Sequence, residues 1–147
     1  MYDLLLFIHN IARWLVLLAA IYLIYRSISG LRNRTYTPAD RQAGQIYTGL
    51  MDLQLVLGIL LLVLSPLVQS ALGNLSAAMQ NSQTRFFIAE HWVLALIAVV
   101  LAHVGISRVK KATDALHKQR QALIWYGLSL ALMLLAIPWW RPLLRLG

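Results

Sequence analysis

Four apolar stretches, each about as long as a membrane-spanning helix, dominate this 147-residue chain. They cover residues 4–25, 46–68, 86–107 and 122–140, and about 20 apolar residues suffice for a helix to cross a bilayer. The connections between them are too short to form a further domain. The sequence therefore predicts an all-α integral membrane protein, an antiparallel four-helix bundle that forms one domain over residues 1–147.

The composition excludes an ordinary soluble domain. Hydrophobic residues make up 60% of the chain and charged residues only 12%, about half the charged fraction that is usual in soluble proteins. A disordered chain would show low hydrophobicity with high net charge, which is the reverse. The chain has no cysteine, so disulfides, thiolate metal sites and iron–sulfur clusters are excluded, and any bound metal needs nitrogen or oxygen ligands.

The basic residues predict the orientation in the membrane. Nine of the 13 lysines and arginines lie in the first and third connections: Arg26, Arg32, Arg34, Arg41, Arg108, Lys110, Lys111, Lys118 and Arg120. The positive-inside rule places both connections in the cytoplasm and both termini outside. The net charge of +8 therefore indicates contact with an anionic lipid bilayer rather than with nucleic acid. Because no basic residue precedes the first apolar stretch, we expect that stretch to be retained as a span rather than removed as a signal peptide.

Six ionisable residues fall within or beside the predicted spans, at a cost of about 2.5–3.5 kcal/mol for a charged side chain at the bilayer centre. These residues are His9, Arg13, Asp52, Glu90, His91 and His103. Each needs a partner or a task. Asp52 and Glu90 lie near span ends, where their side chains can reach head-group water at a lower cost. The histidines therefore carry most of the information.

His9 and His91 are predicted to lie at the same depth, each about five residues into a helix that enters from outside. In an antiparallel bundle the first and third helices can occupy opposite corners of the core, so the two rings could point at each other. Two axial imidazoles are a common arrangement for haem iron. The sequence predicts one b-type haem with His9 and His91 as metal ligands. The alternatives are two unrelated hydrogen-bonded histidines and a non-haem metal.

Arg13 follows His9 by one helical turn and shares its face. An inward arginine needs an anion, and the sequence leaves open a haem propionate, Glu90 or Asp52. Arg13 is thus a candidate cofactor-binding residue.

His103 lies twelve residues, about 18 Å, beyond His91 and cannot share its metal from the same side. A second haem with His117 or Met51 is one alternative. The favoured interpretation is a hydrogen-bonded core histidine or a proton relay, in which Asp52 and Glu90 are further candidates.

Two features outside the histidines bear on the site. Gly44, Gly49 and Gly58 could admit either a neighbouring helix or a flat cofactor, with helix packing favoured. The connection from Gln69 to Thr84 is long enough for one short amphipathic helix at the interface, which could act as a lid over the outer haem edge.

The whole chain resembles a family of small four-helix bacterial membrane proteins described as cytochrome b. The likeness rests on short strings spread along the chain: a histidine before residues 13–15 (RWL), Ser65-Pro66, residues 85–87 (RFF), Glu90-His91, residues 110–114 (KKATD) and residues 137–139 (IPW). The resemblance implies b-haem binding through His9 and His91 in a multi-pass protein of the bacterial inner membrane.

A looser likeness is to the four-helix membrane protoporphyrinogen IX oxidase, which also has an early histidine in helix one and a histidine followed by basic residues at the end of helix three. That enzyme has a lysine near the start of helix three, where this chain has Glu90-His91-Trp92.

Three functions follow as hypotheses. The first is a b-type cytochrome that relays electrons to or from a quinone, another cytochrome or a subunit of a membrane complex, since six-coordinate iron has no open position for a substrate. The second is a haem-dependent oxidase of the protoporphyrinogen or quinol type. The third is a structural or assembly subunit of a larger respiratory or photosynthetic complex. Electron transfer is favoured over an enzyme with its own substrate, and self-association is left open.

Overall fold

The computed structural model describes residues 1–142, and within that range it is helical with no strand. The helices are α1 Tyr2–Asn33, α2 Pro38–Leu64, α3 Pro66–Gly73, α4 Leu75–Gln80, α5 Ser82–Arg85, α6 His91–Lys111 and α7 Ala115–Ala136. A π-helical segment, Phe86–Glu90, joins α5 to α6. The all-α prediction is confirmed for these residues, while Arg145 of the C-terminal tail lies outside them.

The four long helices pack side by side around a common core. α1 packs against α2 and α7, and α6 packs against the same two helices, so α1 and α6 occupy opposite corners. Small residues line the contacts, among them Ala20, Ala43, Ala98, Ala102 and Ala122, all nearly inaccessible. Small side chains let apolar helices approach closely, which is how helices associate where burial of apolar surface from water contributes little.

A layer of tyrosines and hydroxyls lies in this core. Ser129 Oγ donates to the carbonyl of Ala98 at 2.6 Å, and Tyr47 Oη lies 2.8 Å from the same Ser129 oxygen. A serine has one hydroxyl proton, so Tyr47 is the donor to Ser129. This chain of hydrogen bonds connects α2, α7 and α6, each group fully buried and paired.

Glycines make room for the second tyrosine of the layer. A Cβ at Gly44 would lie 2.6 Å from Tyr126 Oη, and one at Gly105 would lie 2.9 Å from Tyr126 Cε1. Gly44 therefore serves helix packing, as predicted. Gly49 is different, because a Cβ there would meet no atom within 4 Å.

The basic end of the helices, where the connections 34–37 and 112–114 lie, is closed by a polar cluster around Asp40. Asp40 completes a capping box with Thr37 at the start of α2, and its carboxylate accepts from Arg26 Nε at 2.6 Å and from Gln119 Nε2 at 3.2 Å. Gln119 also donates to the carbonyl of Thr35 at 2.8 Å. One buried carboxylate thus connects α1, α2 and α7.

Three of the helical segments are long and apolar enough to cross a membrane: Tyr2–Asn33, Pro38–Leu64 and the continuous segment Ser82–Lys111. This is consistent with a membrane protein. Helix α7 is not among them. Its first turns contain the polar residues 117–121 (HKQRQ), and it ends at Ala136. Its uninterrupted apolar part is therefore shorter than those of the other long helices.

The helix ends differ from the predicted span ends. α7 ends at Ala136 rather than at Trp140, because Pro138 keeps the preceding Ile137 in extended conformation (φ −75°, ψ 127°). α2 ends at Leu64 rather than at Val68, where Ser65 and Pro66 begin a new helix. α1 and α2 both extend into the first connection, which shrinks it to four residues.

The connection 66–85 contains three short helices, α3, α4 and α5, instead of the one predicted helix. Each starts at a residue whose side chain accepts from the first turn: Ser65, Asn74 and Asn81. These caps divide the segment because a cap residue satisfies the free N–H groups of a new helix and interrupts the previous one.

Candidate functional site

The structure brings His9 and His91 together from opposite corners of the helical assembly. Their ring centroids are 6.4 Å apart, and the ring planes are inclined by 72°. His9 lies in the third turn of α1, and His91 is the first residue of α6. We call the end of the assembly that contains this pair the histidine end.

The chain reaches His91 through the π-helical segment Phe86–Glu90. Such turns are rare in helices and are frequent at functional sites, because the wider turn changes which residues share a face. In this chain the π-helical turn ends at the residue before His91.

The ring of His91 is oriented by the end of α7. Its Nδ1 lies 2.6 Å from the carbonyl oxygen of Ala136, the last residue of that helix. A carbonyl only accepts hydrogen bonds, so Nδ1 carries the proton and Nε2 keeps a free lone pair. The last carbonyls of a helix have no partner within it, so the end of α7 supplies the acceptor and determines the tautomer.

The ring of His9 is less completely bonded. Gln54 Nε2 lies 3.3 Å from His9 Nε2 and also donates to the His9 carbonyl oxygen at 3.1 Å. Within residues 1–142, His9 Nδ1 and Gln54 Oε1 are buried without a hydrogen-bond partner. An unpaired buried polar atom costs about 1–3 kcal/mol, so this end holds polar groups that the protein itself does not satisfy.

Aromatic side chains cover His91 from the outside. Phe86 and Phe87 lie 5.6 Å and 5.8 Å from its ring, and Trp140 packs on Phe86 at 4.7 Å. The guanidinium of Arg141 lies 4.3 Å from the Phe87 ring. A cleft of about 340 Å³ opens beside this cluster, lined by Ser82, Gln83, Arg85, Phe86, Glu90 and Trp140.

Two further predicted residues lie near His9. Arg13 is 6% exposed, one turn along α1 from His9, with its guanidinium 5.6 Å from the Trp14 ring. Gly58 on α2 also lies beside the His9 ring, since a Cβ at Gly58 would lie 3.5 Å from His9 Cε1, an ordinary contact. The glycine therefore leaves space beside the imidazole without being required for its position.

The remaining candidates are placed elsewhere. Glu90 is exposed and accepts from Arg85 Nε at 3.1 Å. His103 Nε2 lies 2.7 Å from Asp52 Oδ1, on the surface between α6 and α2. The prediction that His103 is hydrogen-bonded is right, but the prediction that it belongs to the core is wrong, because its side chain is 54% exposed. The number of residues between His91 and His103 gives their separation along the helix axis. Whether the His103 side chain points to the core or to the surface depends on how α6 is rotated about that axis.

The partners considered for a second haem are not gathered around His103. Met51 is buried in the core. His117 is exposed at the start of α7, where it lines a cleft with Arg108, Lys111 and Gln121.

Sequence reasoning missed Gln54, the Ala136 carbonyl and the role of Asp40. Gln54 carried a usable signal, since an amide within an apolar stretch needs partners. The Ala136 carbonyl carried none, because a backbone acceptor has no signature in the sequence.

Over the described residues 1–142, the fold and site define a class: a helical protein with three segments apolar enough to cross a membrane and an imidazole pair between two of its helices. No protein-family model, no curated protein and no solved structure matches the chain. The likeness to the small cytochromes b therefore stays a prediction.

Proposed function

We propose that the protein is a membrane-bound b-type cytochrome that holds one haem between His9 and His91 and relays electrons. The observation that carries the proposal is the 6.4 Å separation of the two imidazole centroids. An imidazole nitrogen binds a transition metal at about 2.0 Å and lies about 1.1 Å from its ring centroid, so two rings on opposite sides of one metal have centroids roughly 6 Å apart. The separation fits shared axial ligation.

The hydrogen bond of His91 supports a metal ligand. His91 has its Nδ1 proton bound to the Ala136 carbonyl, which leaves Nε2 as the ligand and holds the ring in place, as metal-binding histidines usually require. In His9 the Gln54 amide faces Nε2 and Nδ1 is buried without a protein partner. His9 would bind a metal through Nε2 once Gln54 releases it, and Gln54 would keep its hydrogen bond to the His9 carbonyl.

The scarcity of other metal-binding side chains among the described residues favours haem over a bare metal ion. Among residues 1–142, no group of three or more histidines, cysteines, aspartates or glutamates could hold a metal. A pair of imidazoles cannot complete a tetrahedral or octahedral site alone. A porphyrin supplies the four remaining nitrogens, and the aromatic rings of Phe86, Phe87 and Trp140 provide apolar surface for it.

Arg13 is the proposed partner of a haem propionate. It is buried one turn from His9 on the same face of α1. A guanidinium binds carboxylates through parallel hydrogen bonds. The proposal therefore assigns His9 and His91 to the iron and Arg13 to a propionate.

In the proposed arrangement the four long helices form a transmembrane bundle in the bacterial inner membrane with both termini outside. The basic connections then face the cytoplasm, and α7 completes the bundle although its apolar part is short. If His9 and His91 both bound the haem iron, no position would remain open for a substrate, which would suit transfer of single electrons to a quinone, a cytochrome or another subunit.

The test is the reduced-minus-oxidised absorption spectrum of the purified protein, together with a haem-to-polypeptide ratio. We expect a sharp b-type α band and one haem per chain, both lost in His9→Ala and His91→Ala. His103→Ala and His117→Ala are the matched controls, since these two histidines lie outside the site, and both should retain the band. A wild-type protein without haem, or one that keeps it in both site variants, would overturn the proposal.

A further inference from the structure

Asp52 and His103 form a hydrogen-bonded pair on the outer surface of the helical assembly. His103 Nε2 lies 2.7 Å from Asp52 Oδ1, and the two side chains are 54% and 47% exposed. The pair connects α6 to α2. It takes no part in the site formed by His9 and His91.

The pair lies within the apolar stretches of both helices, near their basic ends. Asp52 is six residues, about 9 Å, beyond the start of one stretch at Ile46, and His103 is four residues, about 6 Å, before the end of the other at Ser107. Both helical segments are long and apolar enough to cross a membrane. Two exposed ionisable groups within such stretches are costly and mark a function.

Exposed apolar side chains lie beside the Asp52–His103 pair. Leu53 and Val56 on α2 and Val100 on α6 are all exposed beside the pair. Next to Asp52, one turn towards the basic end, a Cβ at Gly49 would meet no atom within 4 Å. A flat ring could therefore lie on the α2 backbone and reach both polar side chains from the lipid.

We propose that the groove between α2 and α6 at Asp52, His103 and Gly49 binds the head group of a lipid-soluble quinone. A quinone or quinol is an apolar molecule that arrives through the bilayer and carries carbonyl or hydroxyl oxygens. The free oxygen of the Asp52 carboxylate accepts from a hydroxyl. The His103 Nε2 proton is bound by Asp52, so Nδ1 accepts from a hydroxyl when the ring is neutral and donates to a carbonyl when the ring is protonated. The pair can therefore hydrogen-bond either form. Exposed Gln45 and Ser107 continue this polar strip towards the basic end.

This inference rests on the proposed function in one respect, because it names the redox partner of the cytochrome. The binding itself involves none of the residues assigned to haem. A second copy of the chain is the competing occupant, since polar side chains can also join helices in a membrane. The open space over Gly49 favours a flat ligand, and the experiment separates the two.

The experiment measures quinone binding to the full chain in nanodiscs of defined phospholipid without quinone. Calorimetric titration uses a benzoquinone and a naphthoquinone with ten-carbon tails as probes. We expect saturable binding of at least one probe, weakened tenfold or more in Asp52→Asn and in His103→Gln. Asp3→Asn and His117→Gln are the matched controls and should bind as the wild type does.

Gly49→Leu provides a variant that leaves the pair intact. It fills open space at an exposed helical position, so we expect normal folding, an equal or higher melting temperature and at least a tenfold loss of quinone affinity. Absence of saturable binding by the wild type, or affinity within twofold of it in all three groove variants, would reject the quinone site. Dissociation of an oligomer by Asp52→Asn with quinone affinity unchanged would reject it in favour of a second copy.

The haem assay keeps the two proposals apart. Wild-type protein that binds quinone but contains no haem would overturn the cytochrome and leave the quinone site standing. Protein with one haem and no quinone binding would do the reverse.

Discussion

At the basic end of the molecule, the carboxylate of Asp40 receives hydrogen bonds from Arg26, Thr37 and Gln119. At the histidine end, the amide of Gln54 contacts His9 twice, yet one atom of each side chain stays buried and unpaired. Both ends bury polar groups between the same helices. The difference teaches that buried polarity has two uses: a fully bonded cluster fixes helices to each other, whereas an incompletely bonded one is suited to a further group.

Room for side chains follows the same division. At Gly44, near the basic end, an added Cβ would collide with Tyr126, whereas at Gly58, beside His9, it would make an ordinary contact. Within residues 1–142, the histidine end therefore has more room at its glycine than the basic end has at Gly44. Four predictions test this difference between the two ends.

The largest expected effect is that of haem itself. If haem binds the folded state only, a free concentration a thousandfold above the Kd adds about 4 kcal/mol to the free energy of unfolding. We expect haem-free protein to show faster amide hydrogen exchange in the first turns of α1 and α6, with exchange around Asp40 unchanged. Equal changes in exchange rate at the histidine end and around Asp40 would contradict this difference between the two ends.

Asp40→Ala should be the most damaging substitution at the basic end. It leaves Arg26 and Gln119 without their shared acceptor and removes the capping box of α2. Because Arg26 is partly exposed, we expect a loss of about 2–3 kcal/mol, somewhat less than the roughly 3–5 kcal/mol that a fully buried broken pair costs. Unfolding by SDS in mixed micelles measures it, with Asp3→Ala, an exposed aspartate, as the control.

Replacing each of the two glutamines by leucine compares the ends directly. Gln119→Leu removes two hydrogen bonds from a fully buried amide, one to the Thr35 carbonyl and one to Asp40, so we expect a loss of about 2 kcal/mol. Gln54→Leu removes two hydrogen bonds but also one unpaired oxygen, and in haem-free protein we expect a change below about 1 kcal/mol. A larger loss for Gln54→Leu than for Gln119→Leu in haem-free protein would reverse the comparison.

The smallest effects concern the glycines. Gly44→Ala forces the Tyr126 hydroxyl to move, and we expect a loss of about 1–2 kcal/mol. Gly58→Ala should be neutral or stabilising by up to about 1 kcal/mol, because alanine favours the helix. Thermal unfolding of the haem-free proteins in detergent distinguishes the two, and similar losses at both positions would show that the histidine end has no spare room.

Much of the site followed from the sequence, and its limits are specific. His9 and His91 could be placed at one depth because residue number measures distance along a helix. The same reasoning placed His103 in the core, which is wrong, because residue number does not fix how α6 is rotated against α2. The structural role of Asp40 was missed because it depends on a hydrogen bond from Gln119, which lies 79 positions later in the chain.

By itself the sequence determined the helical class, the apolar segments and the positions of the ionisable groups along them, because periodicity and hydropathy are local properties of a chain. Only the tertiary structure decided which of those groups meet. It paired His91 with the carbonyl at the end of α7, brought its ring to His9 and turned His103 outward to Asp52. The reason is that helix rotation and crossing are set by side-chain packing between distant segments, and no segment contains that information alone.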